Sequence, residues 1–133
     1  MSRENIEIVR EAYAAWERDG IDGVIPFVDA EVQFRNPPDA PEAGVYFGHD
    51  GIRDWFAKSN EVIGEVHFDV DRIEELPDRR LLAILRGRVK GRGSGIEMEV
   101  PFAHVIEMQA GKVTAFTMYT NIDDALEDVR LAE

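Results

Sequence analysis

LLAILRGRVKG (Leu81–Gly91), IEMEVPFAHVIEM (Ile96–Met108) and KVTAFTMYTN (Lys112–Asn121) read as three consecutive strands. RGSG separates the first two and Gln109-Ala110-Gly111 the last two. Both separators are short and carry Gly, which supplies the positive φ of a tight hairpin. The result is an antiparallel meander, apolar or half-apolar on both faces. Both faces then need cover. Helices are expected on one face, enclosing a pocket, and a second copy of the chain on the other.

The rest of the chain fits around that sheet. Ile6, Val9, Tyr13 and Trp16 form one apolar stripe of a helix over residues 3–18, with Ser2 as its cap and Asp19-Gly20 as its end. A short second helix covers about Ile21–Phe27 and is kept short by Pro26. Glu31–Asn36 alternates as a strand, with Val32, Phe34 and Asn36 on one side. PPDAPEAGVYFG (residues 37–48) reads as a long loop, the kind that borders sites. Asp50 caps a third helix, Gly51–Ile63, with Ile52, Trp55, Phe56, Ser59, Val62 and Ile63 inward. In Glu65–Glu75, Val66, Phe68 and Val70 share a face. Ile73 breaks the alternation, which predicts a bulge near Arg72. Asn121 caps a terminal helix with Asp123 and Asp124 in its first turn. The order α-α-β-α-β-β-β-β-α gives an α+β fold.

At 133 residues, 44% hydrophobic and 32% charged, the chain reads as one globular domain, residues 1–133. It has no cysteine, which excludes disulfides, thiolate metal sites and cysteine nucleophiles. The formal charge of −12 repels phosphate backbones, so nucleic acid is not an expected partner. No apolar run approaches the ~18–20 residues that cross a membrane, and no signal core precedes the first helix. A cytoplasmic protein is expected. His49, His67 and His104 lack metal-ligand spacing, and Gly91, Gly93 and Gly95 lack the context of a phosphate loop. No metal or cofactor is expected.

WERDGIDGVIPFV (16–28), VQFRNP (32–37), GHDGIRDWF (48–56) and AHVIEMQAGKVTAFTMYTN (103–121) occur in an order that resembles the nuclear transport factor 2-like superfamily, and within it the SnoaL-like proteins. The resemblance spans nearly the whole chain. It implies a cone-shaped fold whose curved sheet and helices enclose an apolar pocket, and it implies dimers through the outer sheet face. It does not fix an activity, since unrelated functions share this fold.

The acids of the related enzymes are replaced. In ketosteroid isomerase-like members the catalytic base, Tyr and buried acid would match Asn36, Ala12 and Ala103. Limonene epoxide hydrolase-like members would match at Asn36 and Arg86, but their two Asp positions hold Arg88 and Met118, and their Tyr position holds Phe34. SnoaL-like polyketide cyclases would match at His104 and Asn36, with Met118 in place of their Asp.

Three residues remain as candidates for chemistry. His104, between Phe102 and Ile106, would face the pocket and carry a proton near neutral pH. Against that stands a buried neutral His that only ties strands together. Asn36 would donate to a ligand oxygen, or merely organise the turn before Pro37-Pro38. Arg86 would bind an acidic or keto group. A two-residue turn at Gly93-Ser94 sets Arg88 opposite Glu99 and Lys90 opposite Glu97, leaving Arg86 opposite Pro101 and without a cross-strand acid.

Trp16, Phe34, Tyr46, Trp55, Phe56, Ser59, Phe102, Phe116 and Met118 are the expected ligand contacts, with Tyr46 as a lid residue; the plainer reading is that they fill the core. The expected ligand is a small apolar or amphipathic organic molecule carrying oxygen. The alternative is a non-catalytic binding or dimerisation module. A loop carboxylate, Asp39 or Glu42, could replace the missing acid. A cavity below roughly 100–150 Å³ would favour a self-filled interior, since ordinary ligand pockets run ~300 Å³ or larger. Leu85, Val89, Val105 and Tyr119 are the apolar positions expected at the dimer face.

Overall fold

A computed structural model describes residues 2–36, 44–62, 64–90 and 95–132, except for the side chains at 2, 59, 62, 65, 131 and 132. The elements are α1 (Ser2–Asp19), α2 (Ile21–Val24) running into a 3₁₀ turn (Ile25–Phe27), β1 (Val28–Asn36), β2 (Gly44–Phe47), α3 (Gly48–Val62), β3 (Glu65–Glu75), β4 (Leu81–Lys90), β5 (Glu97–Gln109), β6 (Lys112–Tyr119) and α4 (Ile122–Ala132). The strands form one six-stranded sheet in the order β2-β1-β6-β5-β4-β3. Only β1 and β6 run parallel; the other neighbours are antiparallel. This is the expected α+β fold.

The meander has the register read from the hairpin. Arg88 lies opposite Glu99, Lys90 opposite Glu97 and Arg86 opposite Pro101. The turn itself, Gly91–Ser94, lies outside the described residues. The second hairpin closes through Ala110 and Gly111, both at positive φ. The bulge in β3 falls between Val70 and Arg72, where Ile73 signalled it. Asn121 caps α4, its Oδ1 accepting from the Asp123 N–H at 2.8 Å.

Three parts differ from expectation. Helix α3 begins at Gly48, so Asp50 lies in its first turn and does not cap it. The segment read as loop up to Gly48 contains β2, a four-residue edge strand on β1. Its Val45-Tyr46-Phe47 run is too short to show alternation. In addition, β1 begins at Val28, three residues before the expected start.

The two faces carry separate clusters. On the inner face Val9, Val32, Phe34, Ile52, Leu81, Ala83, Leu85, Phe102 and Ile106 join one core with α1, α2 and α3. On the outer face Leu82, Ile84, Ala103 and Val105 pack beneath Ala125 and Val129 of α4. This corrects Leu85 and Val89 as outer-face positions. Leu85 belongs to the inner core, and Val89 shares its side of β4. Val105 lies under α4, and Tyr119 is tied to it, its hydroxyl donating to Asp128. The terminal helix thus covers the middle of the face that was assigned to a second subunit.

Two close approaches hold the layers together. Gly23 lets α2 lie on α1: a Cβ there would be 2.5 Å from the Ala15 carbonyl oxygen. Gly87 lets the Phe102 ring lie across β4. A Cβ at Gly87 would stand 2.2 Å from Cε2 of that buried ring. The ring has little room to move, since it packs edge-on against Phe68 at 5.5 Å. Gly87→Ala is therefore expected to cost about 1–3 kcal/mol as overpacking. Urea denaturation checks this, and Phe102→Leu in the same chain should recover part of the loss. An unchanged midpoint in Gly87→Ala would mean that the ring moves freely.

Candidate functional site

Between the inner face and the helices lies a cavity of about 100 Å³. Helix α1 supplies Val9, Ala12, Tyr13 and Trp16; the α2 region Ile21, Val24 and Phe27; α3 Ile52 and Trp55; and the sheet Val28, Val32, Phe34, Phe68, His104, Ile106, Val113, Phe116 and Met118. No charged residue is among them. The volume is at the lower edge of the bracket set for a self-filled interior. Most of these aromatic side chains therefore act first as core, and the space between them is small.

The C-terminal end of α1 is pinned over the sheet by three contacts to β3. The Trp16 indole N–H donates to the Val66 carbonyl at 3.1 Å. Glu17 accepts from the Phe68 backbone N–H at 2.7 Å, and its other oxygen meets His67 Nδ1 at 2.7 Å. These contacts place Tyr13, one turn earlier, against the sheet. Its Oη is 2.6 Å from Nδ1 of His104.

His104 is 1% exposed and ringed by aromatics, with Phe116 at 4.5 Å, Phe68 at 5.3 Å and Tyr13 at 5.8 Å between centroids. Burial away from any charge pushes its pKa down to about 3, because the cation loses its hydration. The same burial raises the Tyr13 phenol above its ordinary value. Both groups are neutral at physiological pH. The His104 Nε2 has no hydrogen-bond partner among the described residues. A buried polar atom without a partner costs roughly 1–3 kcal/mol.

The other expected residues are dispersed. Trp16, Phe34, Trp55, Phe116 and Met118 line the cavity with His104. Phe56 lies behind it, edge-on to Trp16 at 5.4 Å. Phe102 is buried in the core beside the cavity, and Tyr46 packs on the core from β2 under Lys58. Asn36 is buried at the end of β1, opposite Gly44, and is not among the lining residues.

Arg86 is a correction. It is exposed and leans across the outer side of the sheet to Asp71, Nε to Oδ1 2.9 Å. Arg88 does the same with Asp69 at 3.0 Å. The cross-strand acids of both cations come from β3; for Arg88 the register alone implied Glu99 on β5. The three catalytic candidates are thus not assembled in one place. Ser59's side chain, Asp39 and Glu42 lie outside the described residues. His49 serves the fold, its Nε2–H donating to the Val28 carbonyl at 3.0 Å. Among the described residues no group of three or more His, Asp or Glu side chains is placed to hold a metal ion, and no helix is long and apolar enough to cross a membrane.

Tyr13 is the residue that sequence reasoning missed. By spacing alone it is one more member of the apolar stripe. Its signal was present: it alone in that stripe carries a hydroxyl, and a buried tyrosine needs a partner for it.

The model of the SnoaL-like domain matches residues 9–116. The chain belongs to the SnoaL-like domain family. Solved structures agree on the fold. An NTF2-like protein of unknown function from Burkholderia pseudomallei is 22% identical over 93% of this chain and 95% of its own, with a TM-score of 0.79. TerC, co-crystallized with polyporic acid, is 22% identical over 96% of this chain and 98% of its own, with a TM-score of 0.79. A candidate SnoaL-like polyketide cyclase from a Jannaschia species is 14% identical over 96% of this chain and 92% of its own, with a TM-score of 0.74. At such identities the likeness is one of fold. No curated protein matches the chain. Within this SnoaL-like domain the matched segment includes every residue that lines the cavity except Met118, and it stops short of α4.

Proposed function

We propose that the cavity binds a small, neutral, mostly apolar molecule with one oxygen acceptor, and that His104 donates a hydrogen bond to that oxygen. The observation that carries this is the buried Nε2 of His104, without a protein partner among the described residues, in a ring that lines an otherwise apolar cavity. An ionised ligand finds no counter-charge on the described lining, and burying it unpaired would be costly. A group held neutral down to about pH 3 is a poor proton acceptor at pH 7. The site therefore suits binding, or polarisation of a carbonyl, better than proton abstraction. The co-crystal of TerC with polyporic acid supports an organic ligand in this fold.

Size narrows the choice. Ordinary ligand pockets run about 300–1,000 Å³, while an apolar cavity of about 150 Å³ is enough for benzene. On that scale a cavity of about 100 Å³ suits on the order of four non-hydrogen atoms. Acetone and isobutene make a matched pair of probes. Titration followed by NMR is expected to show the ketone's affinity relative to the hydrocarbon falling at least about fivefold from the wild-type chain to His104→Leu, in line with one hydrogen bond of about 1 kcal/mol. In the variant the carbonyl is buried unpaired. A ratio unaltered by His104→Leu would overturn the proposal.

A further inference from the structure

We infer that Tyr13 fixes the tautomer of His104, so that the second ring nitrogen can only donate, and a ligand that reaches it is selected for a carbonyl oxygen over a hydroxyl. The inference rests on the binding reading above and adds the residue that sets its specificity. A 2.6 Å contact between Oη and Nδ1 can be made in two ways. In the first, the phenol donates to Nδ1 and the imidazole proton sits on Nε2. One buried group, Nε2–H, is then left over. In the second, Nδ1–H donates to the phenol oxygen. Two groups are then left over, the phenolic O–H and the Nε2 lone pair.

The surroundings decide between them. Phe68 on β3, Phe102 on β5, and Phe116 and Met118 on β6 face this ring, together with Tyr13 on α1. None of them offers a charge or a strong acceptor. Each further buried polar group without a partner is unfavourable, so the first arrangement prevails. A phenol is also the better donor of the two, and a neutral imidazole nitrogen the better acceptor. The protonated nitrogen is therefore Nε2.

Selectivity follows from that proton. A ketone accepts from Nε2–H and leaves nothing unpaired. An alcohol also accepts, but it buries its own O–H against apolar walls. In Tyr13→Phe neither ring nitrogen has a preferred partner. The ring can then carry its proton on Nδ1 and accept from an alcohol at Nε2. Tyr13 is in this sense a positioning residue: it acts on the ligand through His104.

The test has two parts. The first uses the ligand-free protein at pH 7, with ¹⁵N-edited long-range NMR of the His104 ring. Expected is a protonated Nε2 and an unprotonated Nδ1 in the wild-type chain, and a mixture in Tyr13→Phe. The second compares acetone with 2-propanol. The ketone should bind at least about fivefold better in the wild-type chain, and within about twofold of the alcohol in Tyr13→Phe. A wild-type ring protonated on Nδ1, or a ketone-to-alcohol ratio unaltered by Tyr13→Phe, overturns the inference. Neither result depends on the ketone-against-hydrocarbon comparison that tests the binding reading itself.

Discussion

Between pH 6.5 and about 3 the folded protein should lose on the order of 4 kcal/mol through His104 alone. Burial lowers the pKa of this base in the folded state, whereas the unfolded chain keeps the ordinary value near 6.5. Above 6.5 neither state is protonated and stability is unaffected. Below it the unfolded chain takes up a proton that the fold refuses, so unfolding gains as pH falls. The loss is complete only when the folded form also protonates, near 3. Within the window the slope is about 1.4 kcal/mol per pH unit for one proton. The 27 acidic residues titrate partly in the same range, so the total slope does not isolate His104. The difference between the wild-type chain and His104→Leu does. Urea denaturation at pH 7, 6, 5 and 4 should show the variant with the shallower slope by about one proton. Equal slopes would mean that the imidazole protonates in place and is not sealed from solvent.

This coupling bears on function. An imidazole that served as acid and base near neutrality would need a carboxylate or an opening to water to hold its pKa up. None of the described lining residues carries a charge. What the site offers instead is a dipole aimed by a neighbour. Polar groups preorganised in an apolar setting act on a carbonyl oxygen more strongly than the same groups in water. Of the positions matched by resemblance to the acids of related enzymes, only Met118 belongs to the cavity wall; Ala103 is buried on the opposite face, beneath α4, so an acid there would not face the cavity.

Alternation in the three meander runs, together with short Gly-bearing separators, gave the strands to within two residues, and a two-residue turn gave the pairing of Arg86, Arg88 and Lys90. Period two is a strong signal when strands are ten residues long. It is weak for Val45-Tyr46-Phe47, and β2 was missed for that reason. It also does not say which face is which. Leu85 and Val89 alternate with Ile84 as clearly in one orientation as in the other; only α1 and α4 settle the choice. Arg86 shows the limit of pairwise register. Its opposite residue on β5 is Pro101, yet a long guanidinium reaches diagonally to Asp71 on the other neighbour. The Tyr13–His104 contact joins residues 91 apart in sequence. No local pattern encodes such a contact, although the hydroxyl in the apolar stripe hinted at it.

Leu82→Ala should be among the most damaging single substitutions, at about 2–5 kcal/mol. Leu82 is 0% exposed. On the outer face it packs with Ile84 and Val105 against Ala125 and Val129 of α4. Truncation to Ala leaves a cavity that rigid strands on either side cannot close. Phe47, also on the outer side but 64% exposed, is the control: Phe47→Ser should alter stability by no more than about 0.5 kcal/mol. The pair of variants also asks what covers this face. If α4 of the same chain does so, the midpoints of wild type and Leu82→Ala are independent of protein concentration. If a second chain completes the cover, both midpoints rise as concentration rises, because association stabilises only the folded form. Urea denaturation across a hundredfold range of concentration distinguishes the two. A concentration-dependent midpoint together with a small cost for Leu82→Ala would return this face to an interface between copies, and would leave α4 a minor part of its cover.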